Sequence, residues 1–211
     1  MVPLLPRNKW TRYLKTHQRT ESIQLVKAYK DSRTYISVNM KIETLFSETE
    51  IRDRVKQIGE QISESYNEDD EIIIVCLLKG GFIFTADLVR QIKQNVRVEF
   101  MVVSSYGDAE TSSGKIKIIK DMECEIQGKN VIIVDDIVDT GNTLYEILDI
   151  MKGRYPSRIE TCCMLDKKEP RKRDVKLDYV GFDCPNKFVI GYGMDAANRY
   201  RNLSSICVKR S

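Results

Sequence analysis

Residues 131–143 read VIIVDDIVDTGNT, in which four β-branched residues run directly into two adjacent carboxylates, Asp135 and Asp136. A continuous apolar run of this kind indicates a strand that is covered on both faces, as in a parallel sheet. Open α/β sheets bind their ligands beyond the carboxyl ends of the strands. The stretch therefore predicts an α/β fold with a binding site at the end of this strand.

The residues DTGNT that follow the strand predict a strand-to-helix loop suited to phosphate. Gly141 permits a tight turn, and its polar neighbours lie beside the exposed N–H groups of the first helical turn. These neighbours are Thr140, Asn142 and Thr143. The sequence lacks the patterns GxxxxGK[ST] and GxGxxG, which excludes a Walker P-loop and argues against a dinucleotide fold.

The two strand-end carboxylates need a different explanation, because Asp135 and Asp136 would repel a phosphate directly. They suit ribose hydroxyls, or a Mg²⁺ ion that bridges to phosphate oxygens. In a plainer alternative, Asp139 is the N-cap of the helix, and Asp135 and Asp136 are acids exposed to solvent at the end of the strand. Two acids at the end of a buried strand, followed by an Asp–Thr–Gly turn, exceed what capping requires. We therefore favour the binding interpretation.

Strand-like and helix-like segments alternate through the rest of the chain. Strands are predicted at 72–78, 98–106, 131–136 and 158–165, helices at 82–92 and 143–152, and a further β element at 115–119. Ser47 and Glu50 form a capping-box pattern that predicts the start of an amphipathic helix. The strand–helix–strand order implies a central, mostly parallel sheet flanked by helices. We predict a single α/β domain over residues 40–211.

Composition narrows the class of protein. Hydrophobic residues make up 42% of the chain and charged residues 31%, which is typical of globular proteins. No apolar run approaches the ~20 residues that a transmembrane helix needs, and no secretory signal is apparent, so we expect no membrane partner. The six cysteines show no CxxC spacing, and four lie in strand-like runs: Cys76, Cys162, Cys163 and Cys207. This favours buried free thiols and a reducing, cytoplasmic location.

Residues 1–39 differ in charge from the rest of the chain. They hold eight basic and two acidic residues, a net charge of +6, although the whole chain carries only +3. Three interpretations stay open: a disordered tail, an organellar transit peptide, or translated sequence upstream of a start at Met40. We predict that the segment is a dispensable extension. Its scattered basic residues make a nucleic-acid-binding arm less favoured.

The stretch VIIVDDIVDTGNT resembles the phosphoribosyl-pyrophosphate motif of the type I phosphoribosyltransferases. Further segments resemble the branch of that family that acts on 6-oxopurines, and they occur in the family's order: LLKGG (77–81), SSYG (104–107), LDKKEPR (165–171), DYVGFDCPNKFVIGYGMD (178–195) and YR (200–201). The resemblance covers roughly residues 42–211. One departure is Asp135, where many members carry Glu; the charge is kept, so no loss of function is expected.

The resemblance implies the type I phosphoribosyltransferase fold, with a small hood and a flexible lid loop. It also implies a Mg²⁺-dependent reaction of phosphoribosyl pyrophosphate with a free 6-oxopurine, which yields a 5′-nucleotide and pyrophosphate. The body of the chain contains no histidine, so proton transfer must fall to a carboxylate, Lys, Tyr or Cys. The family pattern gives that role to Asp139, as the general base at purine N7.

The resemblance assigns the remaining site residues as follows. Asp135, Asp136, Thr140, Gly141, Asn142 and Thr143 bind the phosphoribosyl group, and Asp135, Asp136 and Asp195 bind Mg²⁺. Lys79, Gly80, Arg171 and Arg201 contact pyrophosphate, with the Leu78–Lys79 peptide in the cis form, and Ser105 and Tyr106 belong to the lid. Lys167, Lys187, Phe188, Val189 and Asp195 form the purine site. By pattern alone, KFVIGY would be a buried strand with Phe188 in the core, and KKEPRKR a solvated loop.

Two alternatives share much of this pattern. A non-catalytic RNA-binding regulator on the same fold would also carry the DDxxxTG motif, but the net charge of −3 after residue 39 and the KFVIGYGMD segment argue against nucleic acid as a partner. A xanthine-preferring enzyme would share the chemistry and differ only in how it contacts the edge of the purine base. Members of this family generally form homodimers or homotetramers, so we expect the same here.

Overall fold

The computed structural model describes residues 42–105 and 116–209. Within them the chain forms the helices α1 (Glu48–Glu64), α2 (Phe82–Val89) and α3 (Asn142–Lys152). The strands are β1 (Ile42–Phe46), β2 (Glu71–Leu78), β3 (Asn95–Ser105), β4 (Ile116–Lys120), β5 (Asn130–Val138), β6 (Arg158–Asp166), β7 (Tyr179–Asp183), β8 (Val189–Ile190) and β9 (Ile206–Lys209). The predicted extension at 1–39 lies outside the described residues.

Six of the strands form the predicted central sheet, in the order β4-β3-β2-β5-β6-β7. All neighbouring pairs in it are parallel except β3 with β4. Strand β5, which contains the apolar run at residues 131–134, lies near the middle of the sheet, between β2 and β6. Its residue Val138 is paired with Asp166 of β6. The carboxyl ends of β2, β5 and β6 therefore meet at one edge of the sheet, as the α/β prediction requires.

The strands β1, β9 and β8 form a second, antiparallel sheet of three strands, which corresponds to the predicted hood. One apolar core joins α1, α2 and this small sheet to one face of the central sheet; its fully buried members include Ile58, Ile62, Phe84, Leu88 and Ile206. A second core packs α3 against the opposite face through Leu144, Ile147 and Met151. The central sheet is thus covered on both faces, which explains its continuous apolar runs.

Helix α1 begins as the sequence predicts. The Ser47 hydroxyl accepts a hydrogen bond from Glu50 N at 3.3 Å, and the Glu50 carboxylate accepts one from Ser47 N at 2.8 Å. This reciprocal pair satisfies two N–H groups that the helix itself leaves without partners. The capping-box prediction is confirmed.

The observed bounds of several elements differ from the predicted ones, and two of these differences have a cause that the structure shows. Helix α2 ends at Val89 instead of residue 92, because the chain turns there and Gln91 packs tightly against α1: a Cβ placed on Gly59 would lie 2.3 Å from the Gln91 Cβ. Strand β8 contains only Val189 and Ile190, because the left-handed φ of 94° at Gly191 ends it. In both places tertiary contacts and glycine geometry override the local periodicity.

All six cysteines are free thiols, and the four that the sequence predicts to be buried are buried. In the described part of the chain no helix has the length and apolar character needed to span a membrane.

Candidate active site

Asp135 and Asp136 lie at the carboxyl-end half of β5 and are partly buried. The Asp135 carboxylate accepts a hydrogen bond from the Asp136 backbone N–H at 3.0 Å. Burial raises the pKa of Asp135 well above its usual value, and the neighbouring Asp136 carboxylate raises it further. Burial also raises the pKa of Asp136. Neither carboxylate forms an ion pair within the described residues, so together they attract a cation.

This carboxylate pair fits a magnesium ion. Mg²⁺ is usually held by one or two protein carboxylates together with oxygen atoms of the substrate. No group of three or more potential ligand side chains converges among residues 42–105 and 116–209. The two carboxylates of Asp135 and Asp136 are the residues that would hold the ion, together with oxygen atoms of a substrate.

The loop after β5 leads into α3 through Gly141, which has a left-handed φ of 79° and is the N-cap residue of the helix. The alternative in which Asp139 caps this helix is not met, because Asp139 lies two residues before the cap. The Asn142 N–H is 3.4 Å from the Thr140 hydroxyl. The loop thus presents hydroxyl groups and helix N–H groups together, which suits an anion.

Asp139 and Lys167 meet beside this loop. The Lys167 ammonium lies 3.6 Å from the Asp139 carboxylate; the lysine side chain is 9% exposed and the aspartate side chain 48%. The Lys167 N–H donates to the Val138 carbonyl at 3.0 Å, which fixes the end of β6 against the end of β5. A buried cation and an accessible carboxylate therefore face the same space.

The turn after β2 lies against the carboxylate pair. The Leu78–Lys79 peptide is cis, and the Lys79 side chain is exposed. A Cβ on Gly80 would lie 1.9 Å from the Asp136 carboxylate, so only glycine allows this approach. From the other side, Gly193 packs so closely that its own Cβ would lie 2.1 Å from the Gly80 carbonyl.

The segment after β7 supplies one wall of the site. Phe188 is 56% exposed, so the expectation from pattern alone that it belongs to the core is wrong. Its neighbour Lys187 is also exposed, whereas Val189 is buried in β8. An exposed aromatic ring next to a buried strand offers a face on which a planar ligand can stack.

Asp195 and Arg201 form an ion pair at 2.7 Å instead of joining the pair on β5. Arg201 also donates to the Gly193 carbonyl at 2.7 Å, and the Asp195 carboxylate accepts from Asn198 N at 2.6 Å. Arg201 is still close enough to oppose the rise in the pKa of Asp136. This loop therefore borders the site of Asp135 and Asp136.

Sequence reasoning missed Asp166, a buried carboxylate that is paired with Arg171 at the end of β6. Its position directly before Lys167, at the end of an apolar strand, was the available signal. Of the two residues predicted to belong to the lid, Ser105 is the last residue of β3 and Tyr106 lies outside the described residues.

The fold and the strand-end site define a phosphoribosyltransferase. A family model described as "Phosphoribosyl transferase domain" matches residues 42–197, and the chain belongs to this family. The chain is 49% identical over 166 residues to the hypoxanthine-guanine phosphoribosyltransferase of Aquifex aeolicus, a match that covers 79% of this chain and 93% of the relative. It is 44% identical over 167 residues to the hypoxanthine phosphoribosyltransferase of Haemophilus influenzae, covering 78% and 93%.

Solved structures agree with this placement. A crystal structure of a hypoxanthine-guanine phosphoribosyltransferase from Bacillus anthracis superposes with a TM-score of 0.76 at 43% identity, covering 79% of this chain and 97% of that one. A Trypanosoma cruzi hypoxanthine phosphoribosyl transferase structure gives a TM-score of 0.77 at 40% identity, covering 84% and 94%. These similarities confirm the predicted fold class.

Proposed function

We propose that this chain catalyses a step of purine salvage, the transfer of the 5-phosphoribosyl group from phosphoribosyl pyrophosphate to hypoxanthine or guanine. The products are IMP or GMP and pyrophosphate. The observation that carries the proposal is the separation of 3.6 Å between the Asp139 carboxylate and the Lys167 ammonium. A 6-oxopurine presents N7 and O6 as neighbours on one edge, so the lysine binds O6 while the carboxylate faces N7.

In this reaction the purine N9 forms a bond to C1 of the ribose as the bond from C1 to pyrophosphate breaks. The proton on N7 passes to the Asp139 carboxylate, which therefore acts as the general base. The sugar becomes cationic in the transition state, and negative charge develops on the leaving pyrophosphate. We propose that Lys79, the Gly80 backbone and Arg201 bind that pyrophosphate.

Asp135 and Asp136 would hold the ribose hydroxyls and the Mg²⁺ ion that accompanies the donor. When bound, Mg²⁺ neutralises charge on the pyrophosphate oxygens. Asp195, which is paired with Arg201, is proposed as a residue that would hold a second Mg²⁺. The 5′-phosphate is bound by the loop after β5, whose contributing residues are Thr140, Gly141, Asn142 and Thr143.

The purine ring stacks on Phe188, and the backbone of Val189 contacts its Watson–Crick edge. Lys187 supports this loop. Ser105 and Tyr106 are proposed to belong to a lid that excludes water, because water at the cationic ribose would hydrolyse the donor.

The reaction is tested with the purified protein, phosphoribosyl pyrophosphate, Mg²⁺ and each of hypoxanthine, guanine and xanthine in turn. We expect spectrophotometric formation of IMP and GMP. Turnover of xanthine alone would favour the xanthine-preferring alternative. Failure with all three purines would leave a non-catalytic role, and RNA binding would then be measured directly.

The role of Asp139 is tested by Asp139→Asn. This substitution removes the proton acceptor while keeping the size of the side chain, so we expect kcat to fall on the order of 10²-fold or more. Donor binding and the melting temperature should be preserved. Asp174→Asn, at an exposed aspartate in the loop after β6, is the matched control. Near-normal turnover of Asp139→Asn would remove Asp139 from the catalytic role.

We also propose that the chain forms homodimers or homotetramers. Several large apolar side chains are exposed on α2, β3 and β4, namely Phe82, Val98, Phe100 and Ile119. Val98 and Phe100 share one face of β3, because alternate residues of a strand point to the same side, and neighbouring exposed apolar groups are characteristic of interaction surfaces. Light scattering should give a mass that is a multiple of the chain mass, and Phe100→Glu should lower it. A monomeric wild-type protein would contradict this proposal.

A further inference from the structure

The Arg171 side chain is directed toward the backbone of the loop after β5. Its Nε donates to the Asp139 carbonyl at 3.0 Å, and its Nη2 donates to the Val138 carbonyl at 3.1 Å. The aliphatic part of the side chain also packs on this loop, because a Cβ on Gly141 would lie 3.0 Å from the Arg171 Cδ. Arg171 therefore holds the main chain of the residue proposed as the general base.

The same guanidinium also contacts the end of β6. Nη2 is paired with the Asp166 carboxylate and lies 3.4 Å from the Lys167 carbonyl. The Asp166 side chain is 9% exposed and that of Arg171 19%. One planar group thus joins the backbone of Asp139 to the backbone of Lys167, whose side chains face each other across the site.

Other bonds tie the same two loops together near Arg171. The Thr140 carbonyl accepts hydrogen bonds from Lys172 N at 2.9 Å and from Arg173 N at 3.1 Å. The Asp166 carbonyl accepts one from Cys184 N at 2.8 Å, which brings in the segment that leads to Phe188. Arg171 is therefore at the point where three loops of the site are joined.

We infer that Arg171 is a positioning residue, which sets the spacing between Asp139 and Lys167, and that it is not a ligand of pyrophosphate. This inference rests on the proposed function. Nε and Nη2 are both engaged, so turning them toward pyrophosphate would break their bonds to the loop carbonyls and leave the buried Asp166 carboxylate without its cation. An unpaired buried charge is costly. The planar donors of arginine suit the present arrangement, since they reach several acceptors from one fixed group.

The test is Arg171→Lys, which keeps the positive charge but replaces the planar fork by a single ammonium. Small misplacements of catalytic groups can lower a rate by about 10²-fold. We expect kcat to fall roughly 10-fold or more, with a raised KM for the purine. The KM for phosphoribosyl pyrophosphate and the inhibition constant of pyrophosphate should stay within about 2-fold, because ground-state binding of these ligands does not involve Arg171.

Two further variants serve as a reference and a control for this result. Lys79→Met removes a proposed pyrophosphate ligand and should raise both the KM of the donor and the inhibition constant of pyrophosphate. Lys168→Met is the matched control for charge, since Lys168 is exposed and paired with the exposed Asp183 on the protein surface. It should change neither kcat, nor either KM, nor the inhibition constant of pyrophosphate.

A pyrophosphate-selective defect in Arg171→Lys, of the kind expected for Lys79→Met, would overturn the inference. If Arg171→Lys does not fold, Asp166→Asn provides the second test. This substitution weakens the ion pair that holds the Arg171 guanidinium in place. It should lower kcat with little change in the inhibition constant of pyrophosphate. A wild-type protein that is inactive with all three purines would instead overturn the proposed function, so the two failures are distinguishable.

Discussion

Partly buried carboxylates have opposite surroundings at the two ends of the central sheet: the one on β6 at the amino end is paired, whereas the two on β5 at the carboxyl end are unpaired within the described residues. At the amino end, the Glu160 carboxylate accepts hydrogen bonds from Tyr66 at 2.6 Å and Tyr179 at 3.1 Å, and it pairs with Arg158 at 2.6 Å. The Arg158 guanidinium also lies 4.1 Å above the Tyr66 ring. At the carboxyl end, the carboxylates on β5 form no ion pair within the described residues.

These differences appear in the acid–base properties of the two ends. At the amino end, burial raises the pKa of Tyr179 to about 12 and that of Tyr66 further, and their hydrogen bonds to Glu160 act in the same direction. Both tyrosines thus stay neutral donors. At the carboxyl end, burial raises the pKa of Asp135 and Asp136, so their charges are costly until a cation arrives. The amino end thus contributes to stability, and we propose that the carboxyl end binds ligands at the expense of stability.

The largest expected effect follows from Asp136→Asn. It removes one of the two charges proposed to bind the donor and Mg²⁺, so kcat/KM should fall on the order of 10²-fold or more. It also removes the repulsion between the two carboxylates, so the melting temperature without ligands should rise. Steady-state assays and calorimetry measure both changes. Asp149→Asn, on the exposed face of α3, is the control and should leave both unchanged.

The same variant tests the pH dependence. A carboxyl group whose pKa is raised by folding favours the folded state below its ordinary pKa, and this contribution is lost as the pH rises through the raised value. The ligand-free wild-type protein should therefore lose stability through this pair between acidic and neutral pH. Asp136→Asn should lose less over that range. Parallel stability curves for the two proteins would contradict the contrast between the ends of the sheet.

A smaller effect is expected at the amino end from Glu160→Ala. The substitution leaves Arg158 without its carboxylate and two tyrosine hydroxyls without their acceptor. Removing one partner from such a network should lower the free energy of unfolding by about 2–4 kcal/mol. Activity at a temperature where the variant is folded should be unchanged, because the network is at the far edge from the site. Denaturant unfolding measures the loss.

Glu64→Ala, at the exposed end of α1, provides the comparison for that loss. It should change the free energy of unfolding by less than about 0.5 kcal/mol. An equal loss for the two substitutions would mean that the network adds nothing beyond ordinary surface glutamates.

The sequence predicts the carboxyl end of the central sheet far better than it predicts the amino end of the sheet. The run from Val131 to Thr143 combines a buried strand, adjacent acids and a turn, so both the strand and the loop can be inferred locally. The network at Glu160 joins residues 66, 158, 160 and 179, whose contacts depend on strand pairing that no local pattern encodes. Arg171 shows the same limit, because its charge is readable in the sequence but the direction of its guanidinium is set by tertiary contacts.

Expectations from local pattern alone fail at two positions for similar reasons. Gly141, and not Asp139 as in the alternative that we did not favour, is the cap of α3, because its left-handed φ suits the turn into the helix. Phe188 follows the alternation of a buried strand, yet it is exposed because β8 extends over only two residues. Periodicity and capping patterns describe isolated elements, whereas both of these positions are determined by how the small sheet and the site loops pack.

The smallest effect is expected from deletion of residues 1–39. Both ends of the sheet, and every residue with a proposed role, come after Met40, and the family match begins at residue 42. We propose that the segment is dispensable, so a chain that starts at Met40 should keep its kcat/KM and melting temperature. Loss of activity or a changed mass by light scattering would show that the segment contributes to the folded protein or its assembly. A change only in cellular location would instead support organellar targeting over the predicted cytoplasmic location.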